Sequence, residues 1–416
     1  MHERCECIPR RHRDTEQRSG VCSRICSLSV LSPCLRVSVV KSVLLCALCV
    51  SAVNAPVFAS GGDFATSVLN FTPAPGQFIN DPNFSDPARA LGAPVGGGLF
   101  AADNSKLVSL GGFGGSITLA FDAPVIDDPL NPWGLDAIVH SNAFYAGSST
   151  NRRFAEPATI EIARDLNNNN IPDDPWFIVR APVFNSVPAT AQQSQFWDNN
   201  PSTPAPPTAL FWYPIAPAHP NWPANYTTTA IRLPALFEVI VLQNPLGLSS
   251  TLEAHYALAD FAPTLLLGDT NADDVVEDPS IDPALFYTAP DNPFVVGITH
   301  GSGGGDAFDI AWAVDAATGA PANLTSFDFI RITTAVHRVD PLLGEMSAEI
   351  SAVANVRPRP SFYDLNTDAR LNAEDLYTFE HAPVDLTGEQ EITSADRRAL
   401  LRAIRATEPT DTSASR

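Results

Sequence analysis

Two stretches near the C-terminus space their oxygen-bearing side chains as a hard cation requires. The first runs from Asp364 to Asp375 and, counted as a loop, sets Asp364, Asn366, Asp368, Asn372 and Asp375 at positions 1, 3, 5, 9 and 12. Arg370 at position 7 offers a backbone carbonyl, and the apolar Leu371 at position 8 is expected to tuck into a core. The second stretch places Asp385, Thr387, Glu389, Glu391 and Asp396 at positions 1, 3, 5, 7 and 12, with Ile392 matching Leu371. Calcium takes six to eight oxygens, and alternating side chains in a tight loop, closed by an acid opening the next helix, deliver them. Two copies in tandem with matched apolar positions make a strong signal; a single copy would be weak. Neither copy has glycine at position 6, where Ala369 and Gln390 stand, and both close on Asp rather than the bidentate Glu of an EF-hand. The expectation is modest affinity suited to extracellular calcium, with the first site the tighter. The bland alternative is a pair of capped helix starts with acidic loops.

Two further stretches begin alike. Asp165, Asn167, Asn169 and Asp173 lead into Trp176, and Asp269, Asn271 and Asp273 repeat the alternation. Either can hold calcium; either can be an Asx-turn, in which Asp and Asn bond their own backbone.

The elements that would carry these loops change character along the chain. From Gly61 to about Pro360, Pro and Gly are frequent and apolar runs are short. Ser116–Phe121, Leu135–Val139, Thr159–Ala163, Trp176–Val179, Ala230–Leu233, Phe237–Leu242 and Val295–Ile298 read as strands. Ala307–Val314 and Phe327–Val336 read as neighbouring strands joined through Gly319-Ala320-Pro321, and the stretch near 185–225 as a long loop or insertion. Such a pattern predicts a mainly β fold, a large sandwich or jelly roll over 60–356. Beyond Pro360 the apolar spacing turns helical, which predicts a small α-helical calcium domain over 360–406, with helices at Asp375–Glu380 and Arg397–Ala406 and a frayed tail over 407–416.

Of the 416 residues, 25 are Lys or Arg and 46 Asp or Glu, a net charge of −21. The only lysine beyond residue 59 is Lys106. So acidic a chain repels nucleic acid and anionic lipid and favours hydrated cations. All seven cysteines fall between Cys5 and Cys49. Lys41, the apolar run Val43–Val53 and the small-residue site ending at Ala59 read as a secretory signal, so residues 1–59 are expected to be a leader and signal peptide. The mature chain would then be secreted or at the cell surface, without cysteine, and with no transmembrane anchor.

A loop followed by one helix, twice, with Asp at position 12, resembles a type I dockerin, in particular the short dockerin-like tails of secreted proteins from planctomycete-type bacteria. The resemblance covers about Phe362–Arg405 and implies two calcium ions and docking onto a cohesin-like module or surface scaffold. The loops start closer together than in cellulosomal dockerins, and Ala373-Glu374 stands where a Ser/Thr pair commonly guides cohesin contact. Phe71–Asn80, Leu91–Pro94, Val108–Phe121, Asp165–Trp176, Gly303–Asp315 and Asp328–Ile332 together resemble a family of bacterial cell-surface proteins with no established activity. The Ile117-Thr-Leu-Ala-Phe121 strand is similar to those of galactose-binding-like sandwiches.

Catalytic motifs are few. His300-Gly-Ser302-Gly-Gly304 lacks the glycine a nucleophile elbow needs at its first position. There is no phosphate loop and no His-Glu-x-x-His. Trp197, Phe211, Trp212, Tyr213, Trp222 and Tyr226 could stack on sugars or pack within their own loop. The reading is a secreted, non-catalytic calcium-binding protein whose tail tethers a carbohydrate-recognising sandwich. The alternatives are a polysaccharide-degrading hydrolase carrying a dockerin, and a structural envelope protein in which calcium only stabilises the fold.

Overall fold

The computed structural model describes residues 62–408 apart from 75–77, 80, 113, 146–149, 151–152, 181–191, 199–224, 233–256, 296, 335–338, 341–343 and 346. The expected signal peptide, all the cysteines and most of the expected insertion lie outside the described residues. For 192–198 and 225–232 only the backbone is described: Gln192–Asp198, inside the stretch expected as loop, pairs antiparallel with Asn225–Arg232, which overlaps the expected strand Ala230–Leu233, while the expected strand Phe237–Leu242 lies outside the described residues.

Eleven strands build two antiparallel sheets: β1 Ser67–Thr72, β2 Val108–Ser109, β3 Ser116–Ile126, β4 Ala137–Ser141, β5 Ala158–Ala163, β6 Trp176–Val179, β7 Leu258–Ala259, β8 Asp306–Phe308, β9 Ala313–Val314, β10 Ser326–Thr334 and β11 Glu349–Asn355. The first sheet runs β1-β3-β10-β5-β6-β9, with β7 also on β5; the second runs β8-β4-β11-β2. The fold is mainly β, as expected.

Register explains why these segments pair. Ile330 lies opposite both Leu119 and Ile162, and Ile332 opposite both Ile117 and Ile160. Two rows of β-branched and Leu side chains thus cross three strands on the buried face. On the other face of the same strands Arg331 pairs with Glu161 at 2.7 Å and stacks over Trp176. From the second sheet Val108, Ile138, Ile350 and Val353 enter the same core. Phe327 of β10 bridges the layers, edge-on to Phe121 and stacked with Phe308 of β8.

The structure corrects three strand expectations. Ala307–Val314 breaks at a one-turn helix, Ile310–Trp312, which sends β8 and β9 to different sheets. The strand after the Gly319 turn, β10, therefore lies between β3 and β5 instead of beside β9. Val295, Gly297 and Ile298, the described residues of the expected strand Val295–Ile298, form bends and irregular chain.

Helices α1 (Ala373–His381) and α2 (Ser394–Thr407) form the tail, each opened by a capping box, Asn372 with Asp375 and Thr393 with Asp396. Phe379, Leu386, Leu400, Ala403 and Ile404 pack into a small core with Tyr363, and Leu130 of the β body joins it. Tyr363 is buried and its hydroxyl donates to the Asn131 carbonyl at 2.8 Å, while Phe362 meets Trp133 edge-on. From the other side, Asn292 donates to the Gly388 carbonyl and Gln390 to that of Phe294. Gly388 has φ +89°, and a Cβ there would lie 3.0 Å from Asn292 Oδ1. The tail is therefore packed on the body, and a tail swinging on a free linker does not describe it.

His140 of β4 is fully buried and bonded through Nε2 to the Tyr287 carbonyl at 3.0 Å. Burial outweighs that bond and pushes its pKa down to about 4. The unfolded imidazole takes up its proton near pH 6.5, so the neutral native ring contributes fully above that pH, and the contribution is lost as pH falls toward 4. Relative to His140→Gln, the wild-type chain should lose on the order of 3 kcal/mol between pH 6.5 and 4, read by urea unfolding at each pH; parallel profiles would contradict the burial argument. In the core, Ile330→Ala should cost about 2–5 kcal/mol, against at most about 1 kcal/mol for the half-exposed Arg331→Ala.

Candidate metal centres

All four Asp-led stretches share one left-handed turn. In each, the carboxylate at position 1 turns back to accept amides further along the loop. Asp165 accepts Asn169 N–H and Asn170 N–H at 3.0 and 2.7 Å. Asp269 accepts Asp273 N–H and Asp274 N–H at 3.1 and 2.9 Å. Asp364 accepts Asp368 N–H and Ala369 N–H at 3.2 and 2.8 Å. Asp385 accepts Gly388 N–H and Gln390 N–H, both at 2.6 Å.

The turn that allows this is left-handed at positions 4 and 6 every time. These residues are Asn168 and Asn170, Ala272 and Asp274, Thr367 and Ala369, and Gly388 and Gln390, with φ between +55° and +89°. Seven of the eight carry a Cβ, which disfavours that region. The missing position-6 glycines thus change the strain of the turn and leave its shape intact. Strained backbone persists where the surroundings over-determine it, and it concentrates at ligand clamps.

Oxygens at positions 3 and 5 are drawn inward by the same device. Asn167 and Asn366 accept the position-5 amides of their loops. Asn169, Asp273 and Asp368 accept the position-7 amides, that of Arg370 included. An acid then closes each loop by accepting the position-2 amide: Asp174 from Leu166, Glu277 from Thr270, Asp375 from Leu365 and Asp396 from Leu386. Asp174 and Glu277 are missing from the ligand sets expected from sequence. They close at positions 10 and 9, where a search for an acid at position 12 does not look. Asp173 instead receives the side-chain amides of Asn167 and Asn169.

Two loops bring three carboxylates together: one oxygen each from Asp269, Asp273 and Glu277, and from Asp385, Glu389 and Asp396, lie within 4.8 Å of one another. In the first of these, Asn271 donates to Glu277 and its own Oδ1 is buried without a hydrogen-bond partner. Thr387 bridges Glu389 and Asp396 through its hydroxyl. Burial works to raise the Asp396 pKa, but the amides of Thr393 and Leu386 and the donors of Thr387 outweigh it and hold this carboxyl below its usual value. Asp364, Asp368 and Asp375 form no such group among the described residues. Asn372 serves as helix N-cap, its Oδ1 accepting Glu374 N–H, and Glu391 is exposed. Leu371 packs against the tail core, whereas Ile392, expected to match it, is 56 % exposed. Docking of the second loop on Asn292 and Phe294 of the body supplies the anchorage that a buried Ile392 would have given.

The loops sit on firm supports. The Asp165 loop is the hairpin connection between β5 and β6, whose ladder runs up to Ala163 opposite Trp176, and Asp165 N–H donates to Asp328 of β10. The Asp269 loop is tied to the body by Leu99 N–H donating to Asp274.

Among the described residues, the Ser302 motif is not assembled into a nucleophile site. Ser302 is buried, its hydroxyl donating to the Ala289 carbonyl and accepting Gly304 N–H, while His300 is exposed in the preceding turn. The aromatics between Trp197 and Tyr226 lie outside the residues whose side chains are described.

No protein-family model matches this chain, and no curated protein is significantly similar to it. Among the described residues, no helix is long and apolar enough to cross a membrane.

Strain at position 6 gives a direct check. Ala369→Gly removes the Cβ penalty at φ +64° and should stabilise the ion-free chain by about 1 kcal/mol. Urea unfolding in chelator measures it; a loss of stability would mean that the left-handed turn is absent in solution.

Proposed function

We propose that this is a non-catalytic calcium-binding protein of the cell exterior, in which bound ions set four loops and fasten a dockerin-like tail to a galactose-binding-like β body. The observation that carries the reading is the repetition of one left-handed turn in four loops, two in tandem in the tail and two in separate parts of the β body, each with inward-drawn oxygens and a closing acid. Calcium favours this oxygen-only donor set, and a chain so acidic gains from binding it. The proposed location follows from the signal-like segment ending at Ala59.

Between tether and structural ion, the tail contacts favour the structural ion. The second tail loop presents Gly388 and Gln390 to Asn292 and Phe294, so an ion in that loop would fix the face that meets the body. A dockerin acting as tether instead needs its loops and helices free for a separate module.

Calorimetric titration of calcium into the chelator-stripped full chain should show binding, and calcium at 100 times its Kd should stabilise the chain by about 2.7 kcal/mol per site. The double variant Asp364→Asn/Asp385→Asn should lose the tail share of that stabilisation and become sensitive to proteolysis near Pro360. Absence of both binding heat and any calcium-dependent shift in Tm would overturn the proposal.

A further inference from the structure

A separate set of carboxylates meets inside the β body. Glu156 precedes β5, Asp260 follows β7 and Glu349 opens β11; each is 1 % exposed, and one oxygen from each lies within 4.8 Å of the other two. Hydroxyls and amides meet them, Ser141 on Asp260 among these. Ser109 donates to Glu349 Oε1 at 2.9 Å, Glu349 N–H to Asp260 Oδ2 at 2.8 Å, and Ser347 N–H to Glu156 Oε1 at 3.1 Å. Asn142 reaches Glu349 Oε2 at 3.4 Å. Asp260 Oδ1, on a carboxylate that converges with the other two, is buried with no hydrogen-bond partner.

Charge sharpens the problem. Glu156 and Asp306 act on Asp260, and Glu156 and Asp260 on Glu349, all of them acids that disfavour the charged form; Ser141 hydrogen-bonds Asp260, and the Glu156 and Glu349 carboxyls hydrogen-bond each other. A second acidic group, the buried Asp136 with the partly buried Asp127 and Asp309, differs because Arg402 of α2 acts on Asp127 and Asp309 from the tail. Carrying ionised carboxylates into a core costs several kcal/mol each unless a countercharge meets them. The serine hydroxyls of Ser109 and Ser347, 2.7 Å apart, add neutral oxygens beside the acids. A donor set of carboxylate and hydroxyl oxygens is that of a hard cation. Oxygens bound to one calcium at about 2.3–2.6 Å stand no more than about 5.2 Å apart, and these three lie within 4.8 Å of one another.

We propose that Glu156, Asp260 and Glu349 enclose a buried calcium ion, a site distinct from the four loops and independent of whether those loops bind. Shut off from solvent, this ion exchanges only when the body opens, whereas ions in the exposed loops exchange freely.

The test uses the full chain purified in calcium and then dialysed against a chelator under native conditions, with metal content read by atomic emission. One calcium per chain should be retained and then released when the same sample is unfolded in guanidinium chloride. Glu349→Gln, or Asp260→Asn, which keeps an acceptor for the Glu349 amide, should retain none. Complete loss of calcium from a wild-type chain that stays folded by circular dichroism would overturn the proposal, as would retention of a different metal or undiminished retention in a folded triad variant. Failure of the loops would look different, as missing binding heat when calcium is returned to the dialysed chain.

Discussion

The central constraint on this molecule is the way an aspartate at the head of a loop gathers the amides that follow it. Once Asp364 has accepted the Asp368 and Ala369 amides, the chain between them must pass through the left-handed region at Thr367 and Ala369. That path points the oxygens of alternate residues to one side, which is what a cation requires, and places the closing acid where it accepts the position-2 amide. In the tail the closing acid has a second task. Asp375 and Asp396 are also the capping-box partners of Asn372 and Thr393, so the residue that completes the loop also starts the helix. The capped helix start that the sequence posed is thus present in both copies, and its acid is the same one that closes the loop.

Helix order leads to tail packing. α1 and α2 present Phe379, Leu400 and Ile404 to a core that Tyr363 and Leu130 complete, and Leu130 belongs to the body. A small helical pair of this kind buries little apolar surface alone, and contact with a larger neighbour adds to it. The neighbour is held in turn by its own long-range registry, with Ile330 and Ile332 each paired on both sides. Through these links, order in the second tail loop is coupled to Asn292 and Phe294 of the body.

Local features were legible in the sequence. An Asp followed by oxygen-bearing side chains at the next two alternate positions is a pattern local enough to mark all four loops, although the irregular closures by Asp174 and Glu277 did not fit a fixed spacing. Strands such as the alternating Thr159–Ala163 and the aromatic and β-branched run Trp176–Val179 were equally visible. β11 was not, because Glu349–Asn355 is buried at every position and reads as Ser and Ala, residues with little strand signature. The split of Ala307–Val314 depends on Asp309 capping a one-turn helix, a local event that apolar content hides. Least legible is the core triad, since Glu156, Asp260 and Glu349 come from three distant parts of the chain and only the sheet order brings them together.

The most direct probe is amide hydrogen exchange at the residues that the leading aspartates hold: Asn169 and Asn170, Asp273 and Asp274, Asp368 and Ala369, and Gly388 and Gln390. With calcium these amides should exchange slowly, and chelation should release them together while the amides of β3 and β10 stay protected. Equal exchange rates with and without the ion, at all four loops, would show that hydrogen bonding alone sets these turns and that calcium has no part in them.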